Sequence, residues 1–160
     1  MPPITTVPPF SASTSVWTAR VSIAKPAGVT PVLISYALVN RPYMMDLQQD
    51  RSLIRRLLEQ GLDVYLIDWG YPDGADRFLD LDDYINGFLD RCVQFVLDQH
   101  GIDKINLLGV CQGGTFSLCY SALHPERIKN LVAMVTPVDF KTPENLLSKL
   151  SLIHISEPTR

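Results

Sequence analysis

The pentapeptide Gly109-Val110-Cys111-Gln112-Gly113 puts a thiol between two glycines. The apolar run Ile105-Asn106-Leu107-Leu108 comes just before it, and a helical pattern starts at Gly114 or Thr115. This is the strand–turn–helix context of a nucleophile elbow, in which a sharp turn lifts the central side chain into solvent beside a helix N-terminus. The chemistry such a cysteine could do is covalent acyl transfer from a thioester or ester. An ordinary thiol has a pKa of about 8.5, so only a few per cent is thiolate at neutral pH. The positive end of the following helix favours the anion, and a histidine base normally does the rest. The Gln112 backbone N–H is the expected first oxyanion donor, with a second from the loop around Leu38 and Val39. Each well-placed donor is worth roughly 10²–10³ in rate. The competing reading is a tight turn around a small buried residue. Gly114, a third glycine, together with the flanking strand and helix favours a nucleophile or its degenerate relic.

The partners of Cys111 are harder to find. In elbow enzymes of this order the acid and the histidine follow the nucleophile, and only His124 and His154 do so. His124 ends the helix leading away from the elbow and reads as a helix-end residue; His154 lies in an anomalous tail. His100 abuts Gly101 and reads as structural. Asp139 is too close in sequence to Cys111 for the usual acid, and Asp68 reads as a loop anchor. The base and acid are therefore expected to lie outside this chain.

The elements that must position the elbow follow a regular rhythm. Trp17 to Ala24 alternates weakly as a strand. Buried strands are predicted at Val32–Tyr36, Val64–Ile67, Ile105–Leu108 and Leu131–Val135. Helices are predicted over about 50–60, stopped by Gly61, over 80–99, and from Thr115 to Leu123 before His124-Pro125. In the second of these, Asp80 is the predicted cap and Gly101 the stop. Its apolar face is Leu81, Ile85, Phe88, Leu89, Cys92 and Val96, at three-to-four spacing. Strands alternating with helices imply a mostly parallel sheet with right-handed crossovers. Chemistry in such sheets sits at the carboxyl ends of the strands, where the loops 37–41 and 68–72 meet the elbow.

Composition narrows the class. The chain has 160 residues, 46% of them hydrophobic, and a formal charge of -3. That is enough apolar material for one core, and the absence of a basic stripe argues against nucleic-acid binding. Arg51, Arg55 and Arg56 read as the solvated face of a helix. Cys92, Cys111 and Cys119 have no CxxC spacing and fit free thiols in a reducing cytoplasm, with Cys92 and Cys119 buried as small hydrophobes. No apolar stretch approaches the roughly 20 residues of a membrane span, and Met1 to Ser15 lacks the basic start and apolar core of a signal peptide. No metal and no cofactor are expected.

Several segments together carry a resemblance. Tyr36-Ala37-Leu38-Val39-Asn40-Arg41-Pro42-Tyr43, Asp46-Leu47-Gln48 with Asp50-Arg51-Ser52, and Asp63 through Gly70 resemble the catalytic subunit of polyhydroxyalkanoate synthases, as do Leu81-Asp82-Asp83-Tyr84, Gly109 through Thr115, and Thr136-Pro137-Val138-Asp139-Phe140. The match is closest to the two-subunit class III type and covers about residues 30–147. The resemblance implies an α/β-hydrolase-like fold, a mostly parallel sheet with flanking helices. It implies polymerisation of (R)-3-hydroxyacyl-CoA, typically 3-hydroxybutyryl-CoA, into polyester with release of CoA, the acyl group or growing chain being held as a thioester. Of the family's cysteine, aspartate and histidine, only the cysteine carries over, onto Cys111. Val39 becomes the second oxyanion donor beside Gln112. A second, non-catalytic subunit and the polymer granule surface are the implied partners, in the cytoplasm.

The expected organisation is a flexible, possibly non-native lead-in over 1–16, a partial catalytic domain over 17–150 that stops after the elbow and the next strand, and a non-native tail over 151–160. The chain alone is expected to lack polymerase activity, and a half-sheet should leave an exposed strand edge. Two other readings stay open: a cysteine-nucleophile hydrolase of the dienelactone hydrolase or thioesterase kind, which would hand the acyl group to water, and a non-catalytic fragment that binds the second subunit.

Overall fold

The computed structural model describes residues 31–48, 50–70 and 74–139, together with the backbone of 5–6 and 20–23. In chain order the strands and helices are β1 (Thr5–Thr6), β2 (Arg20–Ile23), β3 (Pro31–Ser35), β4 (Asp46–Gln48), β5 (Arg51–Ser52), α1 (Leu53–Glu59), β6 (Asp63–Asp68), α2 (Asp90–His100), β7 (Ile105–Val110), α3 (Gln112–Leu123) and β8 (Ile128–Met134). Six strands form one sheet in the order β1-β2-β6-β3-β7-β8. The run β6-β3-β7-β8 is parallel, and β2 and β1 are added antiparallel at one edge. The predicted mostly parallel sheet with flanking helices is what the chain forms. The tail 151–160 lies outside the described residues. Thr5–Thr6, within the expected lead-in, pairs antiparallel with β2.

β3 lies at the centre and is buried along its whole length. Its alternate residues face two cores, as the period of a strand requires. Leu33 joins Tyr65, Ile67 and Leu107 against α2 and α3. Val32 and Ile34 join Val64 and Leu108 on the opposite face, where Leu53, Ile54, Leu57 and Leu58 of α1 pack. Seven residues are too few for a stable isolated helix, so this docking holds α1. The hydroxyl of Ser52 caps it by accepting from the Arg55 N–H at 2.9 Å. Arg51 and Arg56 are exposed as expected, whereas Arg55 is half-buried.

The helix predicted over 80–99 does begin at Asp80. The Asp80 carboxylate accepts from the N–H groups of Asp82 and Asp83, while the Asp83 carboxylate accepts from the Asp80 N–H, a reciprocal cap. It ends at Gly101 with φ +60°, the left-handed stop that glycine favours. Between the two, Asp83–Leu89 is a π-helix that leads directly into α2. The wider turn shifts the apolar face. Leu81, expected inside, is 53% exposed, and Tyr84 instead packs on Trp69 and Phe116. Cys92 is buried as expected, whereas Cys119 is half-buried at the edge of the same core. Among the described residues β8 has no strand on its outer side, and Val132 and Met134 are exposed along it.

Candidate active site

Cys111 sits between the carboxyl end of β7 and the first residue of α3, with φ +56° and ψ −126°. Side-chain-bearing residues rarely adopt such a backbone, and one that does stores strain that the surroundings must hold. The surroundings are visible. The Cys111 N–H donates to the Met134 carbonyl of β8 at 2.9 Å, and the Cys111 carbonyl accepts from the N–H groups of Gly114 and Thr115. The helix thus starts at Gln112, three residues before Thr115, because the two glycines belong to its first turn. They are there for space. A Cβ on Gly113 would overlap the Ser35 carbonyl, and one on Gly114 would overlap the Thr136 side chain. On Gly109 it would come within 2.5–2.8 Å of Gly114, Gly113 and Ser117.

Three loops meet the elbow at this carboxyl edge and are tied together. Arg41 donates to the Gly70 carbonyl, and the Trp69 indole N–H donates to the Tyr36 carbonyl at 2.9 Å. The Thr115 hydroxyl donates to the Pro137 carbonyl at 2.8 Å. Asp68, read as a loop anchor, accepts from the Gly70 N–H at 3.0 Å and acts as one. The Leu38 N–H donates to Oε1 of Gln112 at 3.2 Å, joining the loop after β3 to the residue after the thiol. Val39, beside it, is 84% exposed. The structure therefore brings Cys111, Gln112, Gly109, Gly113, Gly114 and the Leu38–Val39 loop to one place.

The histidines it keeps away. His124 lies past the last residue of α3, about 20 Å along the axis from Cys111 at 1.5 Å per residue. There its ring contacts Tyr120 and meets Asn86 at 3.1 Å. His100 meets the Tyr65 hydroxyl at 2.7 Å and Asp63 at 3.2 Å. Asp63 opens β6, so this cluster is at the amino edge of the parallel sheet, opposite the thiol. Both are structural, as their positions in the sequence suggest. Asp139 is exposed at the end of the described residues, and His154 lies outside them. Among the described residues no group of three or more His, Cys, Asp or Glu side chains could hold a metal ion.

Two features escaped sequence reasoning. Val135, directly after β8, has φ +45°; a β-branched residue there is an outlier. It turns the chain so that Thr136 reaches Gly114 and the Pro137 carbonyl reaches Thr115. Trp69, meanwhile, packs edge-on against Phe116 of α3 while holding Tyr36. Its place between a strand end and a glycine was the available signal.

Known proteins place this arrangement. The poly(3-hydroxyalkanoate) polymerase subunit PhaC of Allochromatium vinosum is 70% identical over 125 residues, 78% of this chain and 35% of the relative. Its counterpart in Thiocystis violacea is 66% identical over 127 residues, 77% and 36% of the two chains. The chain thus spans about a third of the length of these curated relatives. Among solved structures, a carboxylesterase of Nitrososphaera gargenis superposes with a TM-score of 0.66 at 18% identity, covering 94% of this chain and 54% of its own, which bears on the fold alone. The family model described as alpha/beta hydrolase fold matches residues 30–153, reaching three residues into the expected tail. With the elbow, the parallel sheet and that match in agreement, the chain belongs to the α/β hydrolase fold family.

Proposed function

We propose that this chain is part of the catalytic subunit of a poly(3-hydroxyalkanoate) synthase and that Cys111 is its nucleophile. The observation that carries the reading is the strained backbone of Cys111, held at φ +56° on top of β7, in a segment of 125 residues that is 70% identical to a polymerase subunit. The Cys111 thiolate attacks the thioester carbonyl of an (R)-3-hydroxyacyl-CoA, of which 3-hydroxybutyryl-CoA is the expected member. The oxyanion so formed accepts from the backbone N–H groups of Gln112 and Val39. Collapse expels CoA thiolate and leaves the acyl group on sulfur; the hydroxyl of another monomer or chain end then loses its proton and attacks that carbonyl, forming the ester as the C–S bond breaks and the Cys111 thiolate leaves. The proton inventory of that second step requires an acid–base pair, which the resemblance assigns to an aspartate and a histidine not identified among the described residues. A second, non-catalytic subunit and the cytoplasmic granule surface are the partners this reading implies. In the described residues no helix is long and apolar enough to cross a membrane.

The test is made in a complete catalytic subunit carrying these residues. Cys111→Ala should abolish both CoA release and polymer, with an acyl thioester trapped on Cys111 in the unsubstituted protein. Retained polymer synthesis in Cys111→Ala would reject the reading. Soluble hydroxy acid in place of insoluble polyester would assign the chain to a hydrolase.

A further inference from the structure

Gln112 has two polar ends at the elbow. Its backbone N–H belongs to the first turn of α3, where the leading N–H groups have no acceptor within the helix. Its side chain reaches across to the other loop, and Oε1 accepts from the Leu38 N–H at 3.2 Å, a half-buried bond between residues 74 apart in sequence. Three neighbouring observations fix what that bond does. Leu38 packs against the main core, whereas Val39 is 84% exposed. The Tyr36 carbonyl is taken by the Trp69 indole. Gly113 presses on the Ser35 carbonyl, so the loop leaves β3 directly beneath the elbow. The two candidates for the second oxyanion donor, Leu38 and Val39, are therefore not equivalent: the Leu38 N–H is already spent. Among the described residues the Val39 N–H has no hydrogen bond.

We propose that the Gln112 side chain is a positioning residue, which pins the loop after β3 by consuming the Leu38 N–H and so leaves the Val39 N–H as the one free to meet an oxyanion. One residue then couples both halves of the hole, its main chain donating and its side chain holding the other donor in place. The inference rests on the proposed role of Cys111 as an acyl-accepting nucleophile.

Two readouts in the 160-residue chain separate the pin from that role. The first is amide hydrogen exchange at Leu38. Gln112→Met keeps length but not the acceptor and should speed Leu38 exchange roughly tenfold, the scale of one hydrogen bond. Gln112→Glu keeps an acceptor oxygen and should restore slow exchange. The second readout is the ratio of Cys111 acylation by p-nitrophenyl 3-hydroxybutyrate to its alkylation by iodoacetamide, read on the Cys111 peptide by mass spectrometry. Acylation passes through an oxyanion and alkylation does not, so the ratio cancels the amount of thiolate. It should fall roughly tenfold in Gln112→Met, and by a similar factor in Val39→Pro, which lacks the N–H. Unchanged Leu38 exchange in Gln112→Met, or exchange in Gln112→Glu as fast as in Gln112→Met, overturns the pin. Faster exchange with an unchanged ratio overturns its bearing on the hole. A ratio in the unsubstituted chain no higher than that of glutathione overturns the nucleophile role itself, while the exchange readout still decides the pin.

Discussion

Gly113 lies so close to the carbonyl of Ser35 that no side chain fits between them. The contact is backbone on backbone, between the first turn of α3 and the end of β3, and neither partner can rotate away. The nearest atoms to a Cβ on Gly114 belong to the side chain of Thr136, at the half-buried start of a loop. The two substitutions should therefore separate. Gly113→Ala is expected to destabilise by roughly 3 kcal/mol, the upper range for overpacking, and Gly114→Ala by about 1–2 kcal/mol because Thr136 can yield. Urea unfolding midpoints measure both. Equal effects would mean that the loop after β8 is as rigid as the sheet.

The amino edge of the sheet offers a contrast. His100 lies 2.7 Å from the Tyr65 hydroxyl and 3.2 Å from the buried Asp63 carboxylate, and leaving buried polar groups without a partner typically costs about 1–3 kcal/mol. His100→Ala should lower stability by something near that range and leave the alkylation rate of Cys111 unchanged below the new melting temperature. A selective loss of thiol reactivity, with stability intact, would instead tie His100 to the elbow.

Alkaline pH should unfold the chain through its core. Burial raises the Cys92 thiol from 9.0 to about 12, with Arg91 opposing weakly. Burial, with Asp63 second, raises Tyr65 from 10.0 to about 12. Burial and the hydrogen bond to Asp90 push Tyr120 up as well. All three are neutral when folded and ionise more readily when unfolded, so their contribution is complete below pH 9. It is lost as pH rises from about 9 to 12, at up to about 1.4 kcal/mol per pH unit for each group. Cys92→Val should flatten the first part of that decline, near pH 9–10, in a pH series of urea midpoints. A decline that begins at the same pH and with the same slope in Cys92→Val would remove Cys92 from the account.

The edge strand and the elbow are linked by the bond from the Cys111 N–H to the Met134 carbonyl. Among the described residues β8 is the last strand on its side of the sheet, and Val132 and Met134 are exposed along it.

Much of this was legible in the chain itself. The alternation of apolar runs with helical patterns is a local property, and it gave the parallel sheet, the cap at Asp80, the stop at Gly101 and the elbow around Cys111. Local spacing also sufficed to read His100 and His124 as structural, since each ends a helix. What local pattern could not give was register and contact. The π-helix over Asp83–Leu89 arises where Tyr84 finds Trp69 and Phe116, a gain that exists only once β6 and α3 are packed; a period of 3.6 therefore misplaced Leu81. The early start of α3 depends on the space beneath Gly113, which only β3 defines. Elbow geometry read from the sequence placed the second donor around Leu38 and Val39, and the resemblance chose Val39. The tertiary structure supplies the physical reason, by setting the Gln112 side chain against the Leu38 N–H.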